Sequence, residues 1–186
     1  MQLLRRQCAV LAAGAFAVAA ACARNPRGGA LLADPLAAQL AHGFDVNVQN
    51  SVARVRAETA RFQVLDSAVA AGYAGEAHAC VANEPQGAMG FHHSNARYVD
   101  GAVEVERPEI LTYERTPDGR EVLTGVEYVI PYRYWPREAA APPTILGQPM
   151  KRADGLQIWY LHAWVWKQNP SGLFADWNPT VHCPEG

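Results

Sequence analysis

The stretch Thr116-Pro117-Asp118-Gly119 constrains this chain more than any other. Proline at the second turn position presets φ, aspartate follows it, and glycine closes the bend in the left-handed region. The segments on either side, Glu109–Arg115 and Glu121–Trp135, are rich in branched and aromatic residues. Together they predict a hairpin with a three-residue loop and a glycine bulge. Such a turn sets a register: Thr116 opposite Arg120, Arg115 opposite Glu121, Tyr113 opposite Leu123, Leu111 opposite Gly125. A slip of one residue would set Glu114 against Glu121, like charge against like, so electrostatics favours the first register. Carried to its end, it brings Glu109 opposite Glu127. Directly paired residues share a face, with Cβ atoms about 4.5–5.5 Å apart. Two carboxylates that close do not both stay ionised in a dry setting without a compensating charge or a shared proton. Glu127 lies in the apolar run Gly125–Ile130, which predicts its burial.

Candidates for the compensating group come from two other apolar strands. His162 lies inside Trp159–Trp166, and His92 follows Gly90, with His93 pointing to the opposite side by strand alternation. His92, Glu109, Glu127 and His162 thus form a candidate nitrogen and oxygen ligand set, suited to zinc, manganese or iron. The four are not a compact motif, so the set depends on the inferred register. Each histidine alone also fits an ordinary hydrogen-bonded core residue. Arg97, Arg107 and Arg133 are rival partners, since an arginine fork satisfies a buried carboxylate without any ligand. Trp159, Trp164, Trp166, Tyr128, Tyr132 and Tyr134 either fill a core or line an apolar pocket.

The N-terminus carries an address. Arg5 and Arg6 precede an apolar run from Cys8 to Ala21 that is too short to span a bilayer comfortably and ends in small residues. Residues 1–21 read as a signal peptide, 22–33 as a tether and 34–186 as a single domain. Cleavage after Ala21 or Ala23 gives a soluble exported protein. Cleavage before Cys22 gives a lipoprotein attached to the membrane through that lipidated thiol, although Ala19 is smaller than the usual residue three positions upstream. Export to the periplasm or beyond places Cys80 and Cys183 in an oxidising space, where a disulfide is expected. Closing a loop of about 100 residues, it would contribute about 2–4 kcal/mol and hold the tail Pro179–Gly186 to the body. The rival is a thiolate metal site with His78 or His182.

Composition removes several function classes. There are 16 Lys and Arg against 18 Asp and Glu, so no basic field is present for nucleic acid. With 49% hydrophobic and 9% aromatic residues the chain is not a disordered one. None of Ser51, Ser67, Ser94 and Ser171 lies in a G-x-S-x-G elbow, which argues against a serine hydrolase. Along the domain, a short helix is expected over Pro35–Ala41, stopping near Gly43. A second is expected over Ser51–Tyr73, where Val52, Val55, Phe62, Leu65, Val69 and Tyr73 recur at helical steps. Asn50 would cap it, and Gly72 and Gly75 would end it. Strands follow at Gly87–Ser94, around Val103 and Val105, in the two hairpin arms, and at Leu156–Lys167. The proline-rich loop Pro136–Gly155 is long enough to cover something. The order predicts an α+β fold with N-terminal helices packed on a mainly antiparallel β-sheet.

Several motifs resemble a group of uncharacterised exported bacterial proteins. They are Gly87-Ala-Met-Gly-Phe-His92, Arg107-Pro-Glu109 with Tyr113-Glu114, Val126-Glu127-Tyr128, His162-Ala-Trp164-Val-Trp166, Asn169-Pro-Ser-Gly172 and Trp177-Asn-Pro179. The resemblance covers most of residues 50–183. It implies export and a shared site around His92, Glu109, Glu127 and His162, without naming a chemistry. In that group tyrosines flank the histidine, whereas Phe91 and His93 stand there in this chain.

Three functions are open at this level. The chain is expected to hold a divalent transition metal or small molecule at the four residues. Alternatively, Glu109 and Glu127 are a metal-free acid–base pair, too close for an inverting glycosidase. Or the domain is a non-catalytic envelope protein acting by protein contact, through the Pro136–Gly155 loop and the aromatic strands.

Overall fold

A computed structural model describes residues 35–74 and 80–184. The signal peptide, Cys22 and the tether lie outside the described residues, as do Gly75 and His78. Among the described residues no helix is long and apolar enough to cross a membrane.

Among the described residues short helices come first, then a mostly antiparallel sheet, an arrangement consistent with an α+β or β-rich fold. Helix α1 spans Pro35–Gly43, as its composition predicts, and α2 spans Val46–Thr59. Asn50 is not the cap of the second helix. Asp45 is, because its carboxylate accepts from the backbone N–H of Asn47 at 2.8 Å and of Val48 at 3.1 Å. The expected single helix over Ser51–Tyr73 is instead broken by a 3-10 turn at Ala60–Gln63 and resumes as α3, Leu65–Ala70. Long-range bonds occupy the break. The Tyr113 hydroxyl donates to the Phe62 carbonyl at 2.7 Å, and Trp166 Nε1 donates to the Thr59 hydroxyl at 2.9 Å. Gly72, at φ 100°, stands just past the end of α3.

Eight strands follow: β1 Val81–Ala82, β2 Ala88–Ser94, β3 Ile110–Arg115, β4 Glu121–Pro131, β5 Thr144–Ile145, β6 Gln148–Pro149, β7 Lys151–Ala153 and β8 Ile158–Ala163. Six form one sheet in the order β1-β2-β3-β4-β8-β7, and β5 and β6 form a small hairpin. No strand forms at Val103 and Val105. There the Arg107 N–H bonds back to the Glu104 carbonyl, and their side chains pair across the same turn. The proline-rich loop is more structured than expected. Leu146 and Gly147, both at positive φ, make the two-residue turn of the β5–β6 hairpin, and β7 adds to the sheet beside β8.

One buried cluster contains Val48, Val52, Val55 and Phe62 from the helical segment and Leu111, Tyr113, Val126 and Leu161 from the strands. Tyr128 and Trp159 belong to it, and Trp164 fills a second cluster with Ala88 and Val181. The disulfide joins Cys80 to Cys183 with Cα atoms 5.5 Å apart, across 103 residues of sequence. It ties the start of β1 to the C-terminal tail.

The hairpin turn forms as its sequence predicts, with Gly119 at φ 84°. The register next to it holds as well: Arg115 faces Glu121 and Tyr113 faces Leu123. Beyond that point a bulge intervenes. Thr112 pairs with Gly125, so Thr124 has no partner on β3, and every later pair moves by one. Leu111 faces Val126 rather than Gly125, and Glu127 faces Ile110 rather than Glu109. Three interactions hold the bulge. The Thr124 hydroxyl donates to the Thr112 carbonyl at 3.0 Å. The Thr124 carbonyl accepts from the N–H groups of Trp166 and Lys167 at 2.9 and 3.0 Å. Gly125 lies so close to β8 that a Cβ there would stand 2.5 Å from the Ala163 carbonyl oxygen.

Candidate functional site

A slip of one residue moves a side chain to the other face of a sheet. The bulge therefore separates the two glutamates that the turn register placed side by side, and this is the main correction to the expected site. Glu127 shares a face with Ile110 on one side and His162 on the other. His92 pairs with Thr112, two residues from Ile110, and so joins the same face. Glu109 alternates to the opposite face, where its charge acts on Tyr73 and Tyr128. The proposed acid–base pair is not formed, and Glu109 leaves the candidate ligand set. Among the described residues no three His, Cys, Asp or Glu side chains are disposed to hold a metal ion.

Glu109 has another task. Strand β3 starts only at Ile110, so no ladder carbonyl meets the Val129 N–H, and a carboxyl oxygen of Glu109 accepts it at 3.1 Å. Burial raises the Glu109 pKa to about 8 despite that bond.

The face carrying His92 and Glu127 borders a cavity of about 610 Å³. Its walls are largely apolar, among them Met89, Ile110, Val129, Leu156 and Ile158. That size and lining match a small-molecule site. Glu127 Oε2 lies 3.5 Å from His92 Nε2. Burial pushes the Glu127 pKa up to about 7, and the negative charge of Asp176 adds to the rise. None of the arginines proposed as partners pairs with Glu127 among the described ion pairs. Arg107 pairs with Glu104, and Arg133 lies over the ring of Tyr134.

His162 lies beside Glu127, fully buried, its ring against Trp164 with centroids 4.5 Å apart. Neither ring nitrogen has a hydrogen-bond partner among the described residues. Burial first, then His92 and Lys151, hold its pKa well below that of an ordinary imidazole, so the ring is neutral. Leaving a buried polar atom unsatisfied costs about 1–3 kcal/mol, so an orphaned imidazole here is a feature to be explained. His93 does point the other way, as alternation predicts, and binds Glu121 at 2.8 Å.

Sequence reasoning missed two cavity-border residues, Tyr160 and Trp177. Tyr160 shares the face of His162 two residues away, so alternation in β8 was enough to find it. Its hydroxyl donates to Asp176 Oδ2 at 3.2 Å, and Lys151 Nζ donates to Asp176 Oδ1 at 2.6 Å. Trp177, the other, arrives through the tail. The buried side chain of Asn169 donates to the Trp177 carbonyl at 3.0 Å, and buried Asn178 donates to the Gln168 carbonyl at 3.1 Å. The Asn-Pro-Ser-Gly and Trp-Asn-Pro motifs thus brace each other and set Trp177 at the cavity. Of the aromatic residues named from the sequence, Tyr128, Trp159 and Trp164 are core, and Tyr134 is half exposed.

No family model, no curated protein and no solved structure matches this chain.

Proposed function

We propose that the chain is an exported protein that binds a small, largely apolar molecule in the cavity above Glu127 and His92. One observation carries this reading: an apolar-walled space of about 610 Å³ has its ionisable groups gathered on one floor. Apolar walls supply affinity, and a few placed polar groups supply orientation. The apolar run after Arg5 and Arg6 and the Cys80–Cys183 disulfide support export to an oxidising compartment. In this reading the helices form a layer on the core face of the sheet, leaving the other face for the ligand. The test is a neutral apolar dye, Nile red. Its fluorescence is expected to rise with the wild-type protein and not with Val129→Trp, which fills the cavity. Equal binding by the two would contradict the reading.

A second reading is favoured by the orphaned nitrogens of His162. A divalent transition metal would take His92, Glu127 and, after its side chain turns, His162. Metal analysis of protein purified from the periplasm tests it. About one equivalent, lost in His162→Ala, is the supporting result. Metal well below one equivalent in the wild type argues against it.

A further inference from the structure

The inference drawn here rests on the cavity reading above and names the class of molecule that fits. The polar side chains lining the cavity are His92, Glu127, Tyr160 and Trp177, with no lysine or arginine among them. Tyr160 commits its hydroxyl hydrogen to Asp176, which leaves its oxygen lone pairs for another donor. Lys151, opposite Tyr160 on β7, is committed as well, to Asp176 at 2.6 Å and to the Phe174 carbonyl at 3.0 Å. Glu127 is an acceptor when ionised, and its His92 contact at 3.5 Å is longer than a charge-assisted hydrogen bond. An anionic ligand would meet Glu127 with no lysine or arginine among the cavity-lining residues. A neutral ligand would leave Glu127 either protonated or with His92, 3.5 Å away, as its charge partner. The rings of Tyr160 and Trp177 border the same space, and aromatic faces attract a desolvated cation.

We propose that the cavity takes a protonated organic amine, its ammonium donating to the Glu127 carboxylate and the Tyr160 oxygen and its apolar body lying against Ile110, Val129 and Ile158. An ammonium brings the fixed positive charge that no lysine or arginine among the cavity-lining residues supplies, with several donors beside it. The remaining wall is hydrocarbon, so the body that carries the ammonium is an alkyl or aryl group and not a polyol.

Three probes of one shape test this: phenethylamine, phenethyl alcohol and 3-phenylpropanoate. Each is titrated calorimetrically into the full mature chain in the presence of EDTA, so that no metal mediates binding. The amine is expected to bind most tightly. Glu127→Gln is expected to weaken it about 30-fold or more, as loss of one member of a buried charge pair does. Tyr160→Phe, which removes one acceptor, is expected to weaken it about fivefold and keeps the test alive if Glu127→Gln does not fold. Val129→Trp is expected to abolish binding. If the alcohol or the acid binds as well as the amine, and still fails with Val129→Trp, the amine assignment is overturned while the cavity reading stands. If none of the three binds while Nile red does, the amine assignment alone is overturned; if Nile red fails as well, both are.

Discussion

At the scale of single residues, the two buried glutamates have separate work. Glu109 completes a hydrogen bond that a short strand leaves open, and Glu127 faces the cavity. Both carboxyls have raised pKa values, about 8 for Glu109 and about 7 for Glu127 against an ordinary 4.5. The folded chain therefore holds protons that the unfolded chain has released across this range. Their contribution to stability is full below pH 4.5 and is lost as pH rises through about 7 to 8. Thermal unfolding followed from pH 5 to pH 9 is expected to show a falling midpoint. Glu109→Gln, which keeps an acceptor for the Val129 N–H and cannot ionise, is expected to flatten that fall. A midpoint independent of pH, or a variant that falls as steeply as the wild type, would contradict the assignment. His162 makes the complementary point. A neutral imidazole with neither nitrogen bonded lowers stability, and its place beside Glu127 is the physical reason to look for function there.

At the scale of elements, the bulge at Thr124 decides which residues meet. Substituting Gly125 by alanine forces a Cβ to within 2.5 Å of the Ala163 carbonyl oxygen. Gly125→Ala is expected to destabilise the protein by about 2–3 kcal/mol and to weaken dye binding by displacing Glu127, as read from denaturant midpoints and Nile red fluorescence. Unchanged stability would mean that the β4–β8 approach is looser than described. The same element shows what was legible in the sequence. Thr116–Gly119 carries its turn chemistry locally, so the hairpin and the Arg115–Glu121 and Tyr113–Leu123 pairs could be read from it. The bulge depends on Trp166 and Lys167, which reach Thr124 from more than forty residues away in sequence. The one local sign was a glycine inside an apolar strand, which often marks a bulge or a close backbone approach. Helix α2 is a different case: aspartate and asparagine cap about equally well, and Val48, four residues before Val52, already carries the apolar spacing back toward Asp45. Tyr160 was within reach of alternation, whereas Trp177 reaches the cavity, and Asp176 the Tyr160 hydroxyl, only through the folding of the tail.

At the scale of the whole molecule, the disulfide and the tail motifs connect stability to the cavity. Cys80 precedes Val81, and Cys183 closes the segment that carries Trp177; both Val81 and Trp177 line the cavity. Replacing both cysteines by serine is expected to lower stability by about 2–4 kcal/mol and to reduce dye affinity, since one wall is then held less firmly. A variant with unchanged unfolding and unchanged binding would show that the bridge does not brace the site. The central claim is that Glu127 opens on the cavity while Glu109 faces away from it, and carboxyl carbon NMR of glutamate-labelled protein tests this most directly. With resonances assigned through Glu109→Gln and Glu127→Gln, added phenethylamine or Nile red is expected to shift the Glu127 carboxyl and leave that of Glu109 in place. A shift at Glu109 alone, or equal shifts at both, would contradict the account.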